Sequence, residues 1–275
     1  MEQATISEPQ SKGARSRQII ATLARHGLSA VTGHPAAPQV RAACEELGTT
    51  FIKLGQALST RADVIPQNYR LELRKLTDEV PPVPYEAVAR VVHAELGATP
   101  DKLFARFDRR PLASASIGQV HAAKLRDGRE VVVKIMKPGV EELVELDLQI
   151  LDELAQRATD RWPLLDEYGA IDLVEEFGDI LRSELDFTRE AASVEFFRSF
   201  FENERGFDLP TVIYERSTKR VLTLEHLGGE KIRDVSARAV RRREIAAERI
   251  ARFVLEPAFA EGAFYADPHP GNFVI

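Results

Sequence analysis

The chain has 275 residues, enough to bury a substantial core as one large domain or two lobes. It is 44% hydrophobic and 29% charged, as soluble globular proteins are, and its net charge of -6 argues against a nucleic-acid partner, which needs a basic face. A single cysteine, Cys44, excludes an internal disulfide and fits a reducing, cytoplasmic compartment, and no apolar run is long enough for a bilayer span or a signal peptide.

Residues 1–16 are polar and irregular and read as a disordered tail. From about residue 17 to 31 a helical stripe follows, with Ile20, Leu23, Ala24, Leu28 and Val31 spaced for one face. Between Pro9 and Ala43 the chain carries Lys12, Arg15, Arg17, Arg25 and Arg41 and no acidic residue. Such a basic amphipathic helix either docks on its own domain, the favoured reading, or lies on an anionic membrane surface. Thr32-Gly33-His34-Pro35 stops it, and a second helix is predicted over residues 38–60. There Lys53 and Gln56 share a face, and Gly55 between them lets another backbone come close.

Asp63-Val64-Ile65-Pro66 breaks the chain before a helix over residues 68–76. The stiff connector Pro81-Pro82-Val83-Pro84 leads to a helix over 85–96. Residues 103–137 then read as three short strands, with the turn Asp127-Gly128 before the last. Pro138 marks a helix start, with Glu141, Glu142 and Glu145 near the positive end of its dipole. One long helix is predicted over 170–205. Within it Asp186 and Glu190, four apart, lie side by side, and Glu184 points about 200° away from Asp186. Strand character returns at 211–214 and 220–224, Glu225-His226-Leu227-Gly228-Gly229 reads as a turn, and a last helix is predicted over 236–261.

Three features carry chemistry. Val131-Val132-Val133-Lys134-Ile135-Met136-Lys137 is a β-branched strand holding Lys134. Either this is an edge strand with the lysine in water, or it is buried and the ammonium needs a carboxylate, since desolvating it alone costs several kcal/mol. Upstream lies the small-residue loop Ala113-Ser114-Ala115-Ser116-Ile117-Gly118. Downstream, Asp267-Pro268-His269-Pro270-Gly271-Asn272 spaces an aspartate and an asparagine as in a kinase catalytic loop. Loop, strand lysine and Asp-(four residues)-Asn, in that order, are the layout of a protein-kinase-like nucleotide site.

Together these residues resemble the atypical-kinase family called UbiB, ABC1 or ADCK, over roughly residues 40–275. Lys53-Leu54-Gly55-Gln56 matches its KxGQ motif, Ala113 to Ser116 its alanine-rich loop, Glu184-Leu185-Asp186 its ExD motif, and Asp267 to Asn272 its catalytic loop. The resemblance implies an α+β, protein-kinase-like fold: a helical extension (17–98), a small antiparallel-sheet N-lobe with inserted helices (99–227) and an incomplete helical C-lobe (228–275). It implies ATP and Mg2+ as cofactors. Lys134 would hold phosphates and pair with Glu190, Glu225 to Leu227 would meet adenine, Asn272 would bind metal, and Asp267 stands at the position of the catalytic base. Lys53, Gln56, Glu184 and Asp186 would fill the pocket where a protein substrate otherwise lies. The implied activity is that of an ATPase or a small-molecule or lipid-linked kinase supporting ubiquinone or other prenyl-lipid biosynthesis, with a quinone precursor and an anionic membrane as partners. The alternative is a non-catalytic nucleotide- or lipid-binding scaffold. No Asp-Phe-Gly follows Asn272, so the chain reads as truncated before the second metal ligand.

Overall fold

The computed structural model describes residues 11–28, 36–77, 80–167, 169–235, 239–265 and 272–275. Among the described residues up to position 100, every regular element is a helix. Helix α1 (Lys12–Arg25) starts earlier than the periodicity predicts, because Ser11 caps it by accepting from the Ala14 N–H at 3.3 Å. Of the expected tail, 1–10 fall outside the described residues, as do 29–35. The helix is docked, but not by the expected stripe: Ile19 is buried against Leu47, Phe51 and Ile150 with Leu23 half-buried beside it, whereas Ile20 and Ala24 are exposed, so the buried face is turned from the one the spacing predicts.

The helix expected over 38–60 is two, α2 (Ala37–Leu47) and α3 (Thr49–Thr60). Gly48 between them sits at φ 89°, ψ -154°, which is open to glycine and ends α2. Helix α4 (Gln67–Leu73) is shorter than predicted, and α5 (Tyr85–Leu96) matches the prediction and ends in left-handed Gly97. A single turn, α6 (Pro100–Leu103), leads into the sheet.

The sheet is antiparallel and has five strands: β1 (Arg106–Phe107), β2 (Ala113–Ser114), β3 (Gly118–Lys124), β4 (Glu130–Met136) and β5 (Val221–Glu225). Its order is β1-β3-β4-β5, with β2 paired to β3 as well. Four strands lie where three were expected over 103–137, because two-residue strands such as β1 and β2 carry no readable alternation. Strand β4 is internal, between β3 and β5, so the edge-strand reading of Lys134 is excluded. Val131, Val133 and Ile135 face a core formed with Val88 and Val92 of α5 and with Phe104 and Phe107. Lys134 lies on the opposite face.

After β4 come α7 (Val140–Arg161), the short α8 (Leu164–Glu167), α9 (Ala170–Glu184) and α10 (Phe187–Phe200). The long helix expected over 170–205 is broken at Leu185 and Asp186. Asp186 is extended (φ -125°, ψ 95°) and caps α10, so the expected side-by-side stacking of Asp186 and Glu190 does not form. Residues 211–214 are not a strand: Val212 makes one bridge to Leu224, and Tyr214–Arg216 is a 3-10 turn whose last carbonyl accepts from the Thr223 hydroxyl. Helix α11 (Val240–Glu261) follows, and residues 236–238 lie outside the description. The tail returns to pair with residues 230–232, Glu230 and Ile275 exchanging both backbone hydrogen bonds at 3.0 and 2.9 Å.

Candidate functional site

The face of β4 that carries Lys134 looks onto the start of α10. The Lys134 ammonium lies 2.6 Å from Glu190 Oε2 and 4.7 Å from the Phe187 ring centroid. Two local devices aim Glu190. Asp186 caps α10, accepting from the Thr188 N–H and hydroxyl at 3.0 and 2.6 Å, and Phe187 is buried in the core beneath the helix. Those bonds from Thr188 hold the Asp186 carboxyl below its ordinary range. The pairing is not one of a charge in a dry core: the Lys134 side chain is 34% exposed and opens on solvent. An ammonium that a solvated ligand can reach is what phosphate binding requires.

Across from this pair lies α3. Lys53 reaches Glu184, the last residue of α9, at 2.8 Å. Gln56 turns away and donates to the Leu76 carbonyl at 3.2 Å. Gly55 admits side chains and not, as expected, another backbone, since a Cβ there would stand 2.4 Å from Leu76 Cδ1 and 3.3 Å from Leu73 Cδ2. Of the four residues grouped as a pocket set, Lys53 and Glu184 are thus joined, Gln56 braces α3 on the loop after α4, and Asp186 serves its own helix.

Ala113 and Ser114 form β2, and Ala115 and Ser116 the turn into β3, with the Ala115 N–H donating to the Gly118 carbonyl at 2.8 Å. No described non-glycine residue has positive φ, so this turn needs no glycine where it carries alanine and serine. Its surroundings hold it. Ser116 is buried and its carbonyl accepts from the Thr49 hydroxyl at 3.2 Å, the Ile117 carbonyl accepts from the Lys137 N–H at 2.9 Å, and the Ser114 carbonyl from the Val80 N–H at 3.3 Å. Sequence reasoning missed Thr49, Phe187 and Val80. Phe187, directly after the ExD motif, was open to detection as an apolar residue in an acidic run.

The Gln119 side chain clips the connector, accepting from the Val83 N–H at 2.9 Å while its amide meets His121 Nε2 at 2.9 Å. At Glu225 the backbone N–H donates to Thr211 O at 2.9 Å, the His226 N–H donates to Glu130 O at 3.0 Å, and Leu227 follows half-buried. Asp267 lies outside the described residues. Asn272 is exposed, directly before the pairing tail. As a donor set for a metal, the described residues offer the amide oxygen of Asn272 and no group of three or more His, Cys, Asp or Glu side chains. The Asn272 oxygen is a hard donor of the kind Mg2+ takes, and Lys134 and the β2–β3 turn offer the charge and small side chains that suit a polyphosphate.

No described helix is long and apolar enough to cross a membrane. Residues 75–275 match the family described as ABC1 atypical kinase-like domain. The chain is 38% identical over 237 residues to Protein ACTIVITY OF BC1 COMPLEX KINASE 8, chloroplastic, of Arabidopsis thaliana, covering 83% of this chain and 30% of that protein. It is 36% identical over 239 residues to the probable protein kinase UbiB of Marinobacter nauticus, covering 86% and 44%. It thus spans less than half the length of these relatives. Among solved structures it resembles Rv3197 of Mycobacterium tuberculosis, determined with erythromycin, at a TM-score of 0.60 and 31% identity, over 94% of this chain and 63% of that one. With its kinase-like sheet, its helical extension and a family match over most of its length, the chain belongs to the ABC1 atypical kinase-like family.

Proposed function

We propose that the chain is the nucleotide-binding part of a kinase-like enzyme, an ATPase or a small-molecule or lipid-linked phosphotransferase, acting in ubiquinone or other prenyl-lipid synthesis. The observation that carries the reading is the solvent-open Lys134–Glu190 pair, 2.6 Å apart, beside the small-residue turn. In this reading Lys134 meets α- and β-phosphates, residues 113–116 cover them, and Glu225 to Leu227 bind adenine. Asn272 contributes one metal ligand, and Asp267 holds the proton of the acceptor. Mg2+, when bound, would neutralise charge on the transferring phosphate. The Lys53–Glu184 bridge keeps α3 over the site, which favours water or a small acceptor over a protein.

Thermal shift with Mg-ATP tests this. The Lys134→Ala variant should fold, because a half-exposed ion pair contributes only about 0–1 kcal/mol. It should lose most of the nucleotide-induced rise in Tm, and an undiminished rise would refute the assignment of Lys134. A second reading is a non-catalytic nucleotide- or lipid-binding scaffold, in which Lys134 and the β2–β3 turn would hold phosphate without turnover. Phosphate release separates the two: turnover above that of Asp267→Asn supports the enzyme, and equal rates support the scaffold.

A further inference from the structure

On the far side of the sheet from the Lys134–Glu190 pair, a cavity of about 270 Å3 opens between α5 and the junction of β4 with α7. Ala87, Val91 and Ala94 of α5, together with Met136, Lys137 and Pro138, are among the residues that line it. We propose that Lys137 is a covalent modification site, an amine acylated by small acyl donors of the acyl-phosphate class that enter this cavity.

The argument begins with ion pairing. Six lysines of the chain, Lys12, Lys53, Lys75, Lys124, Lys134 and Lys219, each touch a carboxylate. Among the described residues Lys102, Lys137 and Lys231 do not, and of these three Lys102 and Lys231 stand exposed in water. Lys137 alone combines partial burial with the lack of a carboxylate. Its ammonium meets only a neutral acceptor, the Pro81 carbonyl, at 3.2 Å.

Two of the three acids that share the cavity are committed elsewhere. Glu141 binds Lys219 at 2.5 Å and Arg220 at 2.6 Å, and Glu95 accepts from the Thr218 hydroxyl at 2.7 Å. The third, Glu142, lines the cavity from an exposed position and makes no contact with the Lys137 ammonium. Desolvation without a compensating charge favours the neutral amine. Consistently, burial lowers Lys137 to about 8. At pH 7.5 roughly a quarter of such an amine is free, against about one part in a thousand of an ordinary lysine. The free amine is the nucleophile.

In the step proposed, the Lys137 Nζ lone pair attacks the acyl carbon of the donor. The C–N bond forms, the C–O bond to phosphate breaks, inorganic phosphate leaves, and the amine proton passes to solvent. The product is an amide without positive charge. Lys137 also holds the β2–β3 turn through its backbone N–H, at 2.9 Å from Ile117 O, so the mark sits on the residue that supports this turn.

The test treats the intact chain with acetyl phosphate from pH 6.5 to 10 and follows each lysine by peptide mass spectrometry. Lys102, exposed and without a carboxylate, is the reference. Lower basicity weakens the amine as a nucleophile and offsets part of its larger free fraction, so Lys137 should react about tenfold faster than Lys102 at pH 7.5. Its rate should level off above about pH 9, where that of Lys102 still climbs. Equal rates, or parallel pH profiles, overturn the proposal. In Ala94→Glu, an exposed change that adds a carboxylate to the cavity wall, Lys137 should fall toward the reference. An unchanged rate there would also overturn it.

Discussion

The lysine that organises the site owes its place to strand alternation. On β4, Val131, Val133 and Ile135 take the face packed on α5, and Lys134 takes the other, where Glu190 and the Phe187 ring meet it. A second polar residue, on the neighbouring strand, has the opposite character. His121 is fully buried and stacks on Phe107 at 5.1 Å. Its Nδ1 lies 2.8 Å from the Asp108 carbonyl, which fixes the proton there, and leaves Nε2 to accept from the Gln119 amide at 2.9 Å. Burial pushes the imidazole below its ordinary range. A histidine lowered in this way binds its proton more readily in the unfolded chain. Its share of stability is therefore complete above the unfolded value of about 6.5 and declines as pH falls below it. Protonation would also set the ring N–H against the Gln119 amide that holds the connector at Val83. The expected outcome is a Tm that drops between pH 7 and pH 5, with a shallower drop in His121→Asn, read by scanning calorimetry at each pH.

At the scale of elements, what the sequence could tell depended on whether a signal was local. Helix α5 is delimited by Pro84 and Gly97, both visible as punctuation, and its limits match the prediction. The order of loop, strand lysine and acidic helix was equally legible, because each is a short run of distinctive residues. Two of the failures are helices merged across a break. Gly48 inside an apolar periodic run looks like a tolerated glycine until its φ of 89° is known. Asp186 looks like one member of an acidic face, whereas its side chain replaces a helical hydrogen bond and starts α10. The pairings that bring Lys53 to Glu184 and Thr49 to Ser116 span 131 and 67 residues, and no local pattern encodes them. The break at Asp186 has a measurable consequence. Asp186→Ala removes the cap and should cost about 1 kcal/mol in urea denaturation. Asp186→Asn, which can still accept from Thr188, should cost much less. A cost equal for the two would mean that charge, and not capping, is what the position supplies.

At the scale of the whole molecule, one buried arginine is the deepest of the polar links that join the helical extension to the lobe. Arg15 is 4% exposed and Asp147, on α7, is 0% exposed. The guanidinium meets the carboxylate at 2.6 and 2.8 Å, and one of its nitrogens also donates to the Leu47 carbonyl at 2.8 Å. That carbonyl ends α2, one residue before the glycine that launches α3 with Lys53 and Gln56. Arg15 thus ties α1, the α2–α3 corner and α7 at a single point, while Lys12 and Arg25 pair with Glu153 and Glu46 nearer the surface. This is why the basic helix belongs to its own domain: Ile19, Leu23 and most of its charge are already engaged. A bidentate pair this deep is costly to break from one side, because the surviving ion stays buried without a partner. Arg15→Ala should therefore destabilise the chain by about 3–5 kcal/mol, more than any surface ion pair here would. Replacing both partners by leucine should recover most of that loss, since the desolvation of two charges disappears together with their attraction. Urea denaturation of Arg15→Leu, Asp147→Leu and the double completes the cycle. If the double variant is as unstable as the sum of the singles, Arg15 and Asp147 act independently, and α1 is held by its apolar face alone.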